Sequence, residues 1–428
     1  MWWTRLNLRQ HNRLAAVGGS RSPSSTTALR LVHLSDLHLG FRQYQRLTPR
    51  GINQREADVA QSFKRAVDKI IDIAPDVVLV AGDVFHQVRP NNTAIVFAYQ
   101  QFWRLRKALP TAEIVMVAGN HDTPRSADTG GILRLFESIG IHIVDAEAQA
   151  LEFPALDLSI LGVAMNQHPR PLLKPSGATR WNVLLLHGQT EGEFAGYSGT
   201  PEMAANEIPE DELHVADWDY IALGHYHVYK SPGRRDNKFY SGATDYTSSN
   251  VWGEMAEEKE LGLAGKGIVE RDLETGTQVF HKLPASRAFV DLRPLSARGM
   301  TTEELNDAIA EVVESTPGGI DDKVVRLVVY DVPRHLARQL DHRRLRDFRR
   351  RALHFQLDTR RPETIRSSGR GAPGRRASLD ELVRDKLRER IIPPDVDRDS
   401  LVELGVKYLK DAEDRDTAMG VLSAGVDG

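Results

Sequence analysis

Short motifs rich in aspartate, histidine and asparagine recur between residues 36 and 227 of this 428-residue chain. They are Asp36-x-His38, Gly82-Asp83, Gly119-Asn120-His121-Asp122, His187 and Gly224-His225-Tyr226-His227. Carboxylate oxygen, amide oxygen and imidazole nitrogen are the donors that Mn²⁺, Fe and Zn²⁺ take from proteins. The chain has no cysteine, which excludes disulfides, thiolate zinc sites and cysteine nucleophiles. Any metal centre must therefore be built from histidine, carboxylate and amide ligands.

Taken singly, most of these motifs have a structural explanation as well as a functional one. Asp36 can cap a turn, Gly82-Asp83 can form a tight turn after a strand, and a lone His187 can be a hydrogen-bonded core histidine. The segment Gly119–Asp122 is more specific, because its cluster of Asn, His and Asp has no evident packing purpose. The two histidines of Gly224–His227, spaced i and i+2 at a strand end, are predicted to face the same way. Together the five motifs favour chemistry over packing.

Each motif directly follows an apolar segment that has the composition of a buried strand. The predicted strands are Leu29–Leu34, Asp76–Ala81, Glu113–Ala118, Leu156–Ala164, Asn182–Leu186 and Tyr220–Leu223. Helical periodicity over Glu56–Ile73 and Thr93–Ala108 separates the first three strands. Strands alternating with helices predict an α/β sandwich, with a sheet covered by helices on both faces. Ligands bind beyond the carboxyl ends of such strands, so the five motifs are expected to meet at one rim.

The character of the sequence changes after Pro284. Strand-like segments at Arg287–Arg293 and Lys323–Tyr330 flank a helix that opens with a capping box at Thr301, and a very basic helix is predicted over Arg338–Phe355. Further capping boxes at Ser378 and Ser400 predict two short amphipathic helices, which must dock on the body or on a partner. The predicted segments are a disordered leader over 1–28, a catalytic domain over 29–284, a small α+β domain over 285–358, a flexible basic linker over 359–377 and a helical segment over 378–428.

Charge is distributed unevenly along the chain. Between Arg334 and Arg376 there are 14 arginines and 4 acidic residues, a balance of 14 − 4 = +10, against a net charge of −3 for the whole chain. Such asymmetry is expected where one stretch meets phosphate. A solvated basic helix and linker explain the same composition, and both interpretations stay open here. No apolar run approaches the roughly 20 residues of a membrane-spanning helix.

The motif series resembles the calcineurin-like metallophosphoesterase superfamily over roughly Leu29–Gly242. Two details resemble the SbcD/Mre-type DNA double-strand-break repair nucleases, namely His86 in the segment Gly82–Pro90, and the segment Gly119–Arg125. The resemblance implies that the small α+β domain is a capping domain and that the C-terminal helices bind a partner. Tyr240–Thr244 departs from the usual Tyr-Pro-Gly-Ser, and Glu254–Lys266 is longer than its counterpart. This longer segment leaves the balance of exonuclease and endonuclease action open.

The resemblance also implies a dinuclear centre, with Mn²⁺ as the expected metal of nuclease-type members. The implied ligands are Asp36, His38 and His227 for one ion, Asn120, His187 and His225 for the other, and Asp83 as the bridge between them. His121 is implied as the catalytic residue that faces the scissile phosphate, and His86 as a residue that positions or protonates the substrate. Asp122 is expected either to orient His121 or only to close the turn.

Substrate contacts are predicted mainly in the loop Phe41–Arg50, just past the first ligand pair. The candidates are Arg42, Tyr44, Arg46, Arg89 and Arg125, which offer phosphate contacts and aromatic stacking. A solvated loop is the alternative explanation of this composition.

The leading functional hypothesis is a Mn²⁺-dependent DNA exonuclease and endonuclease of DNA repair. The chain contains no P-loop, so the ATPase of such a complex must be another chain, a coiled-coil protein of the SbcC/Rad type. The family suggests a homodimer through helices near Arg55–Asp72 and Thr93–Lys107, and a cytoplasmic, nucleoid-associated protein. Two alternatives keep the fold: a metallophosphodiesterase acting on small phosphodiesters or phosphoproteins, and a non-catalytic DNA-binding scaffold.

Overall fold

A computed structural model describes residues 28–123, 131–165, 171–190, 207–231, 236–263, 265–362, 379–390 and 397–409. The predicted leader and most of the predicted linker lie outside these ranges, as does the capping box predicted at Ser378. None of the helices formed by the described residues is long and apolar enough to cross a membrane.

A six-stranded sheet forms one half of the larger domain, in the order β13-β12-β1-β2-β3-β4. Its strands are β1 (Arg30–Leu34), β2 (Val77–Ala81), β3 (Glu113–Val117), β4 (His142–Val144), β12 (Gly267–Asp272) and β13 (Gln278–Lys282). Strands β1 to β4 pair in parallel, while β12 joins β1 and β13 in antiparallel register. The carboxyl ends of β1, β2 and β3 therefore lie at one edge of the sheet.

A five-stranded sheet forms the other half, in the order β11-β10-β7-β6-β5. Its strands are β5 (Gln149–Phe153), β6 (Leu158–Val163), β7 (Trp181–His187), β10 (Tyr220–Gly224) and β11 (Lys238–Tyr240). All pairs are parallel except β5 with β6. A small ladder of β8 (Gln189–Thr190) and β9 (Glu207–Ile208) follows β7. The ends of β7 and β10 thus deliver His187 and Gly224 side by side.

The two sheets pack face to face, and the helices cover the outer face of the first sheet. Alternate residues of β2 divide between two cores: Leu79 packs toward the second sheet with Leu185, and Val80 packs toward the helices with Phe63 and Phe102. The predicted α/β sandwich is confirmed, but helices do not cover both faces of the first sheet. A fully apolar strand indicates two buried faces without indicating what buries them.

Helix α1 (Gln54–Ile73) and helix α2 (Asn92–Ala108) lie on this outer face. The Asn53 side chain caps α1 by accepting from the backbone N–H groups of Arg55 and Glu56, so the helix begins two residues before its predicted start. Ala74 ends it in a left-handed conformation, and Pro75 prevents its continuation. Helix α3 (Val251–Glu260) follows the second sheet.

The small α+β domain has its own sheet and core. Strands β14 (Phe289–Asp291), β15 (Leu295–Ser296), β16 (Val324–Tyr330) and β17 (His354–Thr359) form the sheet, and helices α4 (Thr302–Glu314), α5 (Arg334–Arg338) and α6 (His342–Arg351) accompany it. The capping box predicted at Thr301 is present. The basic helix predicted near Arg338–Phe355 is present but shorter, as α6. The last residues of the predicted range open β17, which pairs with β16. Thr359, the predicted start of the linker, ends this strand.

The C-terminal segment, described by itself, contains helix α7 (Leu379–Glu389) and helical residues 398–409. Asp397 caps the second helix through the Ser400 N–H at 2.8 Å, so the capping box predicted at Ser400 is wrong. Val402 and Val406 are buried, and a Cβ at Gly405 would lie 2.4 Å from Leu387 Cδ1. The two helices therefore pack closely against each other.

Candidate metal centre

The loops after β1 and β2 run side by side beyond the ends of the strands. The N–H of Asp36 donates to Gly82 O at 3.0 Å, and that of His38 donates to Asp83 O at 2.9 Å. Asp36, His38 and Asp83 all have left-handed φ angles, of 53°, 45° and 52°. Such angles cost about 1–3 kcal/mol for residues with a Cβ and cluster at functional sites. The strained backbone turns these three side chains into one buried pocket.

The glycines of two motifs permit the close approach of neighbouring loops. A Cβ on Gly119 would lie 2.1 Å from Asp83 Oδ1, and a Cβ on Gly224 would lie 1.8 Å from the Ala81 carbonyl oxygen. Both distances are far inside van der Waals contact. Glycine at these positions is therefore a condition for bringing the five motifs together.

One group of candidate ligands surrounds Asp36. The Nε2 atoms of His38 and His227 lie 3.1 Å apart, and the Asp36 Oδ1 atom lies 4.0 Å and 3.7 Å from them. Asp36 Oδ1 is buried and has no hydrogen-bond partner within the described part of the chain. A buried carboxylate oxygen facing two imidazole nitrogens has the composition and spacing of a cation site.

A second group surrounds Asn120. Its Oδ1 atom lies 3.1 Å from His187 Nε2 and 3.2 Å from His225 Nδ1. His225 and His227 thus face different groups, and the prediction that they point the same way is wrong. The reason is that β10 ends at Gly224 and His225 has a φ angle of 102°, so the alternation of a strand no longer applies.

Asp83 lies between the two groups. Its Oδ2 atom is 3.7 Å from His38 Nε2 in the first group and 3.5 Å from His187 Nε2 in the second. Its other oxygen, Oδ1, accepts from the His121 N–H at 2.9 Å. One carboxylate oxygen therefore reaches both groups, which is the position that a bridging ligand requires.

The electrostatics of the pocket fit cations. Burial, with the charge of neighbouring imidazoles, lowers the pKa of His38 well below its usual value and that of His225 to about 4. These rings keep their lone pairs. Burial also acts to lower the pKa of His187, but the Asp83 and Asp36 carboxylates outweigh it and raise that pKa. The carboxylates thus attract positive charge to the place where a cation would lie, and the donor set can hold divalent metal ions.

His121 and His86 form the open side of the pocket. Their rings stack at 5.3 Å, and the ring of His38 lies 4.9 Å from that of His121. His121 Nδ1 lies 2.7 Å from the carbonyl oxygen of His86, so this nitrogen carries the proton and Nε2 stays available. Burial, followed by the charge of His121, lowers the pKa of His86 to about 4.

The Asp122 side chain binds backbone N–H groups, and not the ring of His121 that it would have to contact in order to orient it. Its carboxylate accepts from the backbone N–H groups of Val84, Phe85 and Gly119 at 3.0, 3.0 and 3.1 Å. These donors belong to the two loops that carry Asp83 and Asn120. Its contacts match the alternative interpretation, in which Asp122 closes the turn and ties the loops together.

Residues 29–229 match the family model of calcineurin-like phosphoesterases. This match covers the segment that carries all five motifs. Among the relatives of the chain is the DNA double-strand break repair protein Mre11 of Methanococcus maripaludis, 28% identical over 331 residues, which are 71% of this chain and 82% of the relative. The proteins of the same name from Methanocaldococcus jannaschii and Sulfolobus acidocaldarius are 41% and 26% identical over 247 and 204 residues. Those matches span 60% and 50% of the two relatives.

These comparisons confirm the resemblance inferred from the motifs. They also confirm the predicted enzyme class, a metal-dependent phosphodiesterase among the hydrolases. The match of the family model ends at Tyr229, directly after the last of the five motifs. The individual ligand and catalytic roles are proposals, supported by the geometry above.

The predicted substrate loop has partners inside the protein. Arg42 pairs with Glu56 at 2.6 Å, and the ring of Tyr44 stacks on His354 of the small domain at 4.1 Å. Arg46 donates to two backbone carbonyls at the end of α6. Arg89 is exposed, and Arg125 lies outside the described residues. The loop therefore connects the metal centre to the small domain.

Sequence reasoning missed a buried carboxylate beside His227. Glu254 Oε1 lies 3.2 Å from His227 Nδ1, and Lys266 bonds both this carboxylate and the His227 carbonyl. Burial alone would raise the pKa of Glu254, but Lys266 and His227 lower it to about 2. The sequence did contain an indication of this buried carboxylate, since Glu254 and Glu258 are spaced i and i+4 and share one face of α3.

Proposed function

We propose that this calcineurin-like phosphoesterase is a DNA nuclease of double-strand break repair, which hydrolyses phosphodiester bonds with two divalent cations. The observation that carries the proposal is the position of Asp83 Oδ2, between the group of Asp36, His38 and His227 and the group of Asn120, His187 and His225. Two cations whose charges repel need a shared anionic ligand, and Asp83 is the carboxylate in reach of both groups.

In the proposed chemistry, the buried ligands hold the metal ions, and His121 and His86 at the open side of the pocket act on the substrate. When bound, the two metal ions would lower the pKa of a shared water and neutralise the charge of the attacked phosphate. His121 lies at the open side, with Nδ1 directed to a backbone carbonyl, so Nε2 is free to face the phosphate. We assign to it the stabilisation of developing charge or the protonation of the leaving oxygen. The neutral ring of His86, stacked on His121, would position the substrate.

Mn²⁺ is the proposed physiological metal. The donors are imidazole nitrogen, carboxylate oxygen and amide oxygen, a mixture that suits Mn²⁺, Fe or Zn²⁺ better than soft ions. The resemblance to SbcD/Mre-type nucleases favours Mn²⁺ among these. Activity restored to metal-free protein by Mn²⁺, and to a smaller extent by Zn²⁺ or Mg²⁺, is the expected result.

DNA is the proposed substrate, and the three relatives described above carry a DNA repair protein name. Helix α6 adds structural support, because Arg343, Arg346 and Arg349 are exposed on it at a spacing of three residues. Its neighbouring arginines are instead held in ion pairs, such as Arg344 with Asp307. A row of exposed guanidinium groups suits a phosphate backbone. A DNA substrate would place the protein with the chromosome in the cytoplasm.

A coiled-coil ATPase of the SbcC/Rad type is the proposed partner, with the C-terminal helices as its docking site. Leu404 and Tyr408, one turn apart, are 49% and 67% exposed. Val402 and Val406, on the opposite face, are buried, and Gly405 beside them approaches Leu387 of the neighbouring helix. An exposed apolar pair beside a filled helix–helix contact suits an amphipathic partner helix.

A homodimer through α1 and α2 is proposed on similar grounds. On α2, Val96 and Trp103 are 54% and 51% exposed, and they lie seven residues apart on one helix face. A large aromatic residue beside an aliphatic one on an open helix is typical of an interface centre.

The test compares cleavage of linear duplex DNA by the wild-type protein and by His121→Ala, with Mn²⁺ added. The variant is expected to lose about 10²–10⁴-fold in kcat, the range for loss of a general acid or base. Equal rates would contradict the mechanism. A protein that prefers a nitrophenyl phosphodiester to oligonucleotides would instead be a small-molecule phosphodiesterase. A protein that binds DNA but takes up no Mn, Fe or Zn would be a scaffold.

A further inference from the structure

A buried charge cluster lies directly behind His227. It consists of Glu254, Glu258 and Lys266, and the Lys266 Nζ atom lies 2.7 Å from Glu254 Oε2 and 2.8 Å from Glu258 Oε1. The side chains of the lysine and the two glutamates are 6%, 11% and 4% exposed. With two carboxylates around one ammonium group, the cluster has a formal charge of −1.

The cluster contacts His227 at two points. Lys266 Nζ donates to the His227 carbonyl oxygen at 2.8 Å, which fixes the backbone. Glu254 Oε1 approaches ring nitrogen Nδ1 to 3.2 Å. That nitrogen is buried and has no well-aligned acceptor within the described part of the chain, so the Glu254 carboxylate is the acceptor in reach. The opposite nitrogen, Nε2, faces Asp36 and His38.

We propose that Glu254 and Lys266 form a positioning pair that holds the His227 ring with Nδ1 protonated and Nε2 directed at the metal. The proposal rests on the dinuclear centre proposed above. A proton on Nδ1 leaves the lone pair on Nε2, where the Asp36 group can share a cation. An anionic acceptor on the far side of the ring also makes Nε2 a stronger donor.

An explanation from packing alone does not account for this arrangement. Two carboxylates and one lysine buried together cost more desolvation than apolar side chains of the same size. Glu257 of α3 shows the contrast, because it pairs with Lys230 and accepts from the Tyr226 hydroxyl, and among the described residues no contact joins it to His227. Tyr246 anchors the cluster from behind, since its hydroxyl donates to Glu258 at 2.6 Å and its ring lies 4.6 Å from Lys266 Nζ.

The deciding experiment measures Mn²⁺ binding to the full-length protein, by titration with electron paramagnetic resonance detection of free Mn²⁺. Wild type is expected to bind two ions. Glu254→Gln, which keeps the volume but removes the charge, is expected to bind one of the two about 10–100-fold more weakly, the usual cost of losing such a support. The control is Glu260→Gln on the exposed end of the same helix, which is expected to bind as wild type.

The outcomes separate this pair from the proposed function. If wild type and Glu254→Gln both bind two ions with the same affinities, the proposal of a positioning pair is overturned and the proposed function is not. A wild type that binds no Mn²⁺ would overturn both proposals. If Glu254→Gln does not fold, Glu254→Asp decides, because it keeps a charge that the flexible Lys266 side chain can follow but stands one methylene further from the His227 ring. Weaker binding of one ion by that variant supports the pair, and wild-type binding overturns it.

Discussion

The side chain of Arg55 is completely buried, and its Nη2 atom lies 2.7 Å from Asp245 Oδ1. Its other terminal nitrogen, Nη1, lies 3.1 Å from Asp58, which also binds Arg287 at the start of the small domain. Asp245 follows the loop that packs behind His227, where the Ala243 N–H donates to the His227 carbonyl oxygen. One buried ionic network therefore joins α1, the support of the metal centre and the small domain.

Arg55→Met is expected to destabilise the protein by about 3–5 kcal/mol, because it leaves Asp245 buried without its cation and leaves Asp58 with Arg287 alone. Denaturant unfolding measures the change. The matched control is Lys64→Gln on the same helix, whose ion pair with Asp68 is about 40% exposed and should contribute less than about 1 kcal/mol. If the two variants lose similar amounts of unfolding free energy, the buried Arg55 network stabilises the protein no more than an exposed ion pair does.

The meeting of the motifs at one edge of the sheets was predictable from the sequence, because it depends on features that lie next to each motif in the chain. Asp36, Asp83 and Asn120 each follow a strand whose apolar composition marks it as buried, and parallel strands end at the same edge. The directions of His225 and His227 were not predictable in this way. They depend on the turn after Gly224, which departs from the extended conformation, and no periodicity reports such a turn.

Arg46→Ala is expected to loosen the contact between the substrate loop and the small domain. In the wild-type protein its guanidinium donates to the carbonyls of Arg350 and Ala352 at 2.8 and 2.9 Å, where the end of α6 has unsatisfied carbonyl groups. Because Arg46 is exposed, the cost in stability should be about 1 kcal/mol. Hydrogen exchange should accelerate in residues 350–354.

Arg50→Ala in the same exposed loop serves as the control for Arg46→Ala. Unchanged exchange at the end of α6 in the Arg46 variant would show that the loop and the small domain are not coupled through this residue. Arg46→Lys should keep part of the wild-type protection, because a single guanidinium nitrogen, Nη2, donates to both carbonyls and an ammonium group also carries several N–H donors.

The internal contacts of the substrate loop and one boundary in the small domain could not be predicted from the sequence. Arg42, Tyr44 and Arg46 have the composition of a phosphate-binding loop, yet each has a partner within the protein. Charge and aromaticity identify residues able to contact DNA, but not whether the fold already uses them. The boundary between α6 and β17 was missed for a related reason, since β17 forms by pairing with β16, which is distant in sequence.

Removal of metal is expected to lower the melting temperature by several degrees, and added Mn²⁺ should restore it. Without cations, the Asp36 and Asp83 carboxylates repel each other in a buried pocket, and a ligand at 100 times its Kd stabilises the folded state by about 2.7 kcal/mol. Thermal unfolding in a chelator, then with excess Mn²⁺, measures this. Asp83→Asn, which weakens the proposed bridge, should show a smaller response to Mn²⁺. An equal response would argue against bridging.

His354 should make the stability of the small domain depend on pH. Burial, followed by the charge of Arg349, lowers the pKa of His354 in the folded state, while the unfolded chain keeps a value near 6.5. As pH falls below about 6.5, the unfolded chain therefore binds a proton that the folded state does not take up at His354, and stability is lost. Above that pH both states are neutral and the effect disappears.

The stacking of Tyr44 on His354 makes His354→Phe a suitable comparison, because phenylalanine keeps an aromatic ring and removes the titrating group. The stability of wild type relative to this variant should fall between pH 7.5 and pH 5.5, as measured by denaturant unfolding at both values. The other histidines titrate in both proteins, so their contributions to the pH dependence of stability cancel in the difference between wild type and variant. A constant difference across this range would mean that His354 has the same pKa in the folded and unfolded states.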